Sequence, residues 1–162
     1  DAWWAKSGWR SPRGCSGFHA ALATPEYLEG LANKTAVQQQ MTDAEAQRLY
    51  RLSLDQLTGK LVAFDCYVQI GSEVYAPDSA RAFWTIYLYD AEGNRYRPAR
   101  ADWNRETVSE DGDWVRWVVV RFDNAGVDGK ALLGPHTKSL TLAISGALGA
   151  AAARFVFDPK KK

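Results

Sequence analysis

Cys15, His19, Cys66 and His136 are the only cysteines and histidines in this 162-residue chain. Their types and spacing could do three kinds of chemistry. Cys15 and Cys66 could bridge, and closing a loop of roughly fifty residues stabilises a fold by about 4 kcal/mol in the chain-entropy model. Alternatively, Cys66 is a small buried hydrophobe in its alternating apolar run and Cys15 a free thiol. All four side chains would make a Cys2His2 zinc set on paper. None, however, shares the short Cys-x-x-Cys or His-x-x-x-His spacing that structural zinc sites use. Cys15-Ser-Gly-Phe-His19 lacks the second cysteine of a haem-attachment run. The expectation is no metal and no cofactor.

Carboxylates are the next candidates. Asp90, Glu92 and Asn94 alternate in a glycine-containing turn, and Asp111, Asp113, Asp123 and Asp128 lie in other loop segments. Loop oxygens can hold Ca²⁺, but the spacing lacks the glycine and terminal glutamate of an EF-hand loop, so solvated turn carboxylates are the better reading. No nucleophile-elbow, phosphate-loop, zinc-protease or kinase motif is present. A carboxylate pair for hydrolysis is defined by separation in space and has no sequence motif. Asp111 and Asp113 are the candidates for it, as a third-ranked reading behind two non-enzymatic ones.

Seven Trp, seven Tyr and six Phe make aromatics the compositional outlier at 12%. Trp84 and Trp117 fall in alternating strand patterns and are expected in the core. Trp3, Trp4, Trp9, Trp103 and Trp114 fall in the N-terminal arm or near turns, where exposed rings would mark a contact surface. They could anchor a protein partner. Tyr87, Tyr89 and Trp103, if coplanar on one exposed face, could instead stack on sugar rings.

These residues must be positioned by a chain of one-domain length with a nearly average apolar and charged content. Its net charge of +1 creates no general field for phosphates, so nucleic acid is not an expected partner. Lys160, Lys161 and Lys162 read as a solvated terminus. No apolar run reaches the roughly 20 residues needed to span a bilayer. The start at Asp1 fits a chain from which a signal peptide has been removed, or one trimmed by other means.

Residues 1–23 show no clear period and read as an irregular aromatic arm. Residues 24–58 read as helical. Thr24 caps a first short helix with Pro25 at its first position, fading near Gly30 to Asn33. Thr42 and Glu45 form a capping box for a second helix over 42–58. Its face of Ala46, Leu49, Tyr50, Leu54 and Leu57 is expected to pack on a sheet. From residue 60 to 158 the period is two. Val62, Phe64, Cys66, Val68 and Ile70 share one face of a strand, and Trp84, Ile86 and Leu88 share another. Arg95 to Trp103 reads as a poorer strand, placed at an edge by Pro98. Trp114 to Phe122 is apolar on both faces and therefore central. Asp123 to Gly134 reads as loop, Ser139 to Ser145 as strand, Gly146 to Ala152 as a small-residue turn, and Arg154 to Asp158 as the closing strand. Short strands without intervening helices predict a mainly β single domain, an antiparallel β-sandwich of Ig-like or transthyretin-like type with two short N-terminal helices.

The run Ala82-Phe83-Trp84-Thr85-Ile86-Tyr87-Leu88-Tyr89-Asp90-Ala91-Glu92-Gly93-Asn94, followed by Val118 to Phe122, Leu140 to Gly146 and Arg154 to Phe157, covers about half the chain. In this order of features it resembles a class of uncharacterised exported bacterial β-sandwich proteins, many of them lipoproteins. The resemblance implies an envelope location, periplasmic or extracellular, and a non-enzymatic role, while the two-sided β pattern, the aromatic arm and the lack of catalytic motifs point to a protein partner in the cell envelope. It carries no functional residues, and the lipidated N-terminal cysteine of such lipoproteins is missing here. The leading expectation is an exported binding or assembly module. A carbohydrate-binding sandwich is the alternative.

Overall fold

The computed structural model describes residues 4–7, 15–55, 60–70, 84–103, 107–108, 114–146 and 149–157. The elements run β1 (Trp4–Ser7), β2 (Cys15–Leu22), α1 (Pro25–Gln38), α2 (Asp43–Asp55), β3 (Leu61–Ile70), β4 (Thr85–Tyr89), β5 (Arg95–Tyr96), β6 (Arg100–Trp103), β7 (Thr107–Val108), β8 (Trp114–Asp123), β9 (Ser139–Gly146) and β10 (Gly149–Val156). They build two antiparallel sheets. The first has the order β1-β2-β3-β8-β6 with β7 also on β8; the second has the order β10-β9-β4-β5. The mainly β sandwich expected from the alternating pattern is the architecture observed.

Alternation puts one row from each strand between the sheets, as side chains in a pleat must lie. Phe18, Phe64, Val68, Val118, Val120 and Phe122 enter from the first sheet, and Leu88, Leu140, Leu142, Ile144 and Phe155 from the second. Phe64 lies in the middle, edge-on to Phe122 with centroids 6.0 Å apart and 5.1 Å from Phe155. Along one side β10 of the second sheet comes against β1 and β2 of the first.

Four expectations from the sequence are corrected here. The N-terminal arm is not irregular: β1 and β2 pair with each other, and β2 pairs with β3 from Gly17 to Leu22. The period of two was hidden because small residues, Gly17, Ala20 and Ala21, stand in β2 where large apolar side chains would mark the alternation. The first helix does not fade at Gly30 but continues to Gln38. Leu28, Ala32 and Ala36, four residues apart, form one buried row along it, and that row outweighs one helical glycine at about 1 kcal/mol. The single strand read over 95–103 is two strands in different sheets. The chain crosses between them at Arg97-Pro98-Ala99, where proline cannot donate to a ladder. The alanine run 150–153 is neither turn nor helix. It is strand β10, paired along its whole length with β9, because tertiary pairing overrides alanine's helix preference.

Both helices begin as their sequences dictate. Thr24 accepts the Tyr27 amide at 3.3 Å with Pro25 at the first turn. At α2 the Thr42 amide donates to the Glu45 carboxylate at 2.8 Å, and the Glu45 amide donates to the Thr42 hydroxyl at 3.4 Å. Between them Gln40 takes φ 51°, a left-handed turn that closes α1 through the Met41 amide on the Ala36 carbonyl at 2.8 Å. The two helices pack chiefly on each other, as a hairpin. The hairpin lies on the outer face of the first sheet, where Ala21 and Ala63 are buried and their small side chains admit a close approach.

Candidate functional site

The hairpin and the sheet face beneath it form the site. Four residues of β3 alternate strictly, so Phe64 and Cys66 face the core while Ala63 and Asp65 face outward under α1. Tyr27, in the first turn of α1, donates its hydroxyl to Asp65 Oδ2 at 2.7 Å. Asp65 Oδ1 has no hydrogen-bond partner among the described residues. A crevice of about 140 Å³ opens beside this pair, lined by Leu28, Leu31, Ala63, Val119, Ser53 and Arg121. Burial pushes the Asp65 carboxyl above the usual carboxylate range, and the Tyr27 hydrogen bond only partly opposes it. Burial and the neighbouring carboxylate together push the Tyr27 hydroxyl up, so it stays protonated as the donor. Arg121 is already engaged: its guanidinium donates to Asp102, which also takes Arg100 Nε at 2.7 Å.

The outer surface of the hairpin is incompletely covered. Leu31 is 42% exposed and Leu52 53% exposed. In α2 only Ala46 is buried, while Leu49, Tyr50 and Leu54 are half-buried. The expected packing of this face on a sheet is therefore corrected: α2 leans mainly on α1, and its apolar row is shared with solvent. Leu57 lies outside the described residues.

The other expected sites come out as follows. Cys66 is a free thiol, 1% exposed in the core. The bridge to Cys15 is excluded by register, since Cys15 stands opposite Ile70, four residues along β3 from Cys66. That is about 13 Å of strand, beyond the roughly 7 Å that a disulfide can span. The zinc set is also broken up, because His19 faces outward against Tyr67 while Cys66 faces the core. No group of three or more His, Cys, Asp or Glu among the described residues could hold a metal ion. Asp111 and Asp113 lie outside the described residues.

Of the aromatic candidates, Trp3 and Trp9 lie outside the described residues, and Trp4 and Trp114 stand in β1 and β8. Trp103 is half-buried. It packs on the core with its centroid 6.0 Å from Trp84. Tyr87 and Tyr89 do share the outer face of the second sheet, where Arg95 lies 4.6 Å over the Tyr87 ring. Their rings are inclined by 60°, however, so the three candidates form no coplanar platform for a sugar. Trp117, expected in the core, instead faces outward on the first sheet. His19, Tyr67 and Trp117 lie directly across β2, β3 and β8, with centroids 5.3 and 5.1 Å apart. Of the three, sequence alternation places only Tyr67 outward, and it is the strand register that brings the tilted rings side by side.

A second, larger cleft of about 630 Å³ lies between the turn at Asp90 and the loop 124–138. Two of its three carboxylates, Asp90 and Asp128, are occupied by the protein itself. Asp90 accepts from the amides of Glu92 and Asn94, the Asn94 side chain and the Tyr96 hydroxyl. Although burial pushes the other way, these bonds hold Asp90 below its usual range. Tyr96 also accepts the Val127 amide at 3.3 Å, which pins the two loops together. Asp128 pairs with Lys130 at 2.9 Å. A cleft whose part-buried Asp90 and paired Asp128 are satisfied internally, with Glu92 exposed to solvent, reads as loop architecture. Asp65, with one oxygen unmatched, is the exception. Sequence reasoning placed Asp65 on the outward face of β3 but held no signal that a helix would cover it.

A scan against protein-family models and a search of curated proteins find no match for this chain.

Proposed function

We propose that this chain is a non-enzymatic binding or assembly module, exported and docking onto another cell-envelope or surface protein through its helical hairpin. The observation that carries this reading is the incomplete cover of the hairpin, with Leu31, Leu52 and the Leu49–Tyr50–Leu54 row left partly open beside an apolar-walled crevice that holds Asp65. Apolar groups rimmed by polar ones are what a protein contact buries. The sandwich supplies a rigid base, and the hairpin presents the surface. The inclined tyrosine rings on the second sheet favour a protein partner over a glycan.

The test is affinity capture from an envelope fraction of the native source, with the wild-type chain and a Leu31→Glu/Leu52→Glu variant compared side by side. Both positions are exposed, so the variant should fold. The reading expects a partner that binds the wild type saturably at about micromolar concentration and is lost from the variant. Equal capture by both proteins, or no partner for either, contradicts it.

A further inference from the structure

We propose that the crevice between α1 and the first sheet receives a lysine side chain from the docking partner, with its ammonium against the free oxygen of Asp65. This rests on the docking reading for what presents the amine. The walls are apolar where a four-carbon stem would lie, at Leu28, Leu31, Ala63 and Val119. The volume of about 140 Å³ is roughly that of four or five waters, enough for one unbranched side chain. Long cationic side chains bury such stems along apolar surface while their heads find polar partners.

The hydrogen-bond pattern selects ammonium over guanidinium. Oδ2 of Asp65 is taken by the Tyr27 hydroxyl, which leaves Oδ1 open. A guanidinium fork is best matched by two free carboxylate oxygens, whereas an ammonium is a point charge that needs one. The Ser53 hydroxyl, which donates to the Leu49 carbonyl at 3.0 Å, keeps its lone pairs for a second ammonium proton. The nearby cation Arg121 is committed to Asp102 and offers Asp65 no charge compensation. A carboxylate left without a counter-charge under a helix is costly, and an incoming ammonium removes that cost.

The probe is Nα-acetyl-lysine N-methylamide, with the neutral norleucine analogue as its isostere and the arginine analogue as competitor, followed by amide chemical shifts of the whole chain. The lysine probe is expected to shift Ala63, Asp65 and Ser53 saturably and the norleucine analogue not. Asp65→Asn should weaken binding about tenfold or more, the loss expected for a charge-assisted bond. Ser53→Leu, which fills the mouth without touching Asp65, should weaken it too. Circular dichroism establishes that both variants are folded. Binding should also fade as pH falls and Asp65 takes up its proton. No shift at about 10 mM probe, equal shifts with norleucine, tighter binding of the arginine analogue, or undiminished binding to Asp65→Asn overturns the proposal. Because the probe is a free amine, its failure leaves partner capture untouched, and failed capture leaves the probe result standing.

Discussion

Asp65 and Cys66 are neighbours in sequence with opposite surroundings. Asp65 points under the hairpin with one oxygen unmatched, and Cys66 points into the core. Burial raises the Asp65 carboxyl's affinity for its proton in the folded chain, so the folded state holds that proton to higher pH than the unfolded one. The residue's contribution to stability is therefore complete below the unfolded value of about 3.9 and is lost as pH rises through the raised folded value. Asp65→Asn keeps an acceptor for Tyr27 and removes the titration. Urea unfolding across this range should show the variant gaining on the wild type as pH rises, and at least matching it near neutrality. A variant clearly weaker at neutral pH would mean that the carboxylate serves the fold. Cys66 gives a simpler test. Burial pushes its thiol well above the usual range, and buried thiols of that kind are inert. Alkylation of the native protein, read by intact mass, should leave Cys66 unmodified until the chain is unfolded.

At the scale of elements, α1 meets the first sheet at Leu28 and through the Tyr27–Asp65 bond, and its buried row is Leu28, Ala32 and Ala36. Leu28→Ala should cost about 2 to 5 kcal/mol, the range for a buried leucine, while Leu52→Ala at its exposed position should change stability by no more than about 0.5 kcal/mol. Gly30 sits inside α1 with open space around its Cα. Gly30→Ala should therefore stabilise the chain by roughly 0.4 to 1 kcal/mol through the unfolded state and helix propensity. Chemical denaturation of the three variants measures all of this. The same elements show what sequence could convey. The helix starts at Thr24 and Thr42 were legible because capping is local chemistry. The ends were not, since the helix past Gly30 is held by the tertiary burial of Ala32 and Ala36. In β2 and β10 alanines replaced the large apolar side chains that make alternation visible, so two paired strands read as arm and turn.

For the whole molecule, the two-sheet architecture followed from alternation in β3, β4, β8 and β9, which is why the core residues were readable before their partners were known. The site was not. It depends on which outward face the hairpin covers, and nothing in α1 or α2 specifies that face locally. Of the residues singled out for their chemistry, Cys15, His19 and Cys66 are kept apart by pleat and register, and His136 lies in the loop beside the cleft at Asp90. The contact surface proposed above instead draws on Leu31, Leu52, Tyr27 and Asp65, whose types carry no signal one at a time. In this account the sandwich is a scaffold and the hairpin is the part that meets a partner. Hydrogen exchange of the chain, free and bound to its captured partner, tests that division most directly. The account predicts new protection concentrated in residues 25–55 and around Asp65, with the second sheet unchanged. Protection confined to Tyr87, Tyr89 and the outer face of the second sheet, with the hairpin exchanging as before, would contradict it.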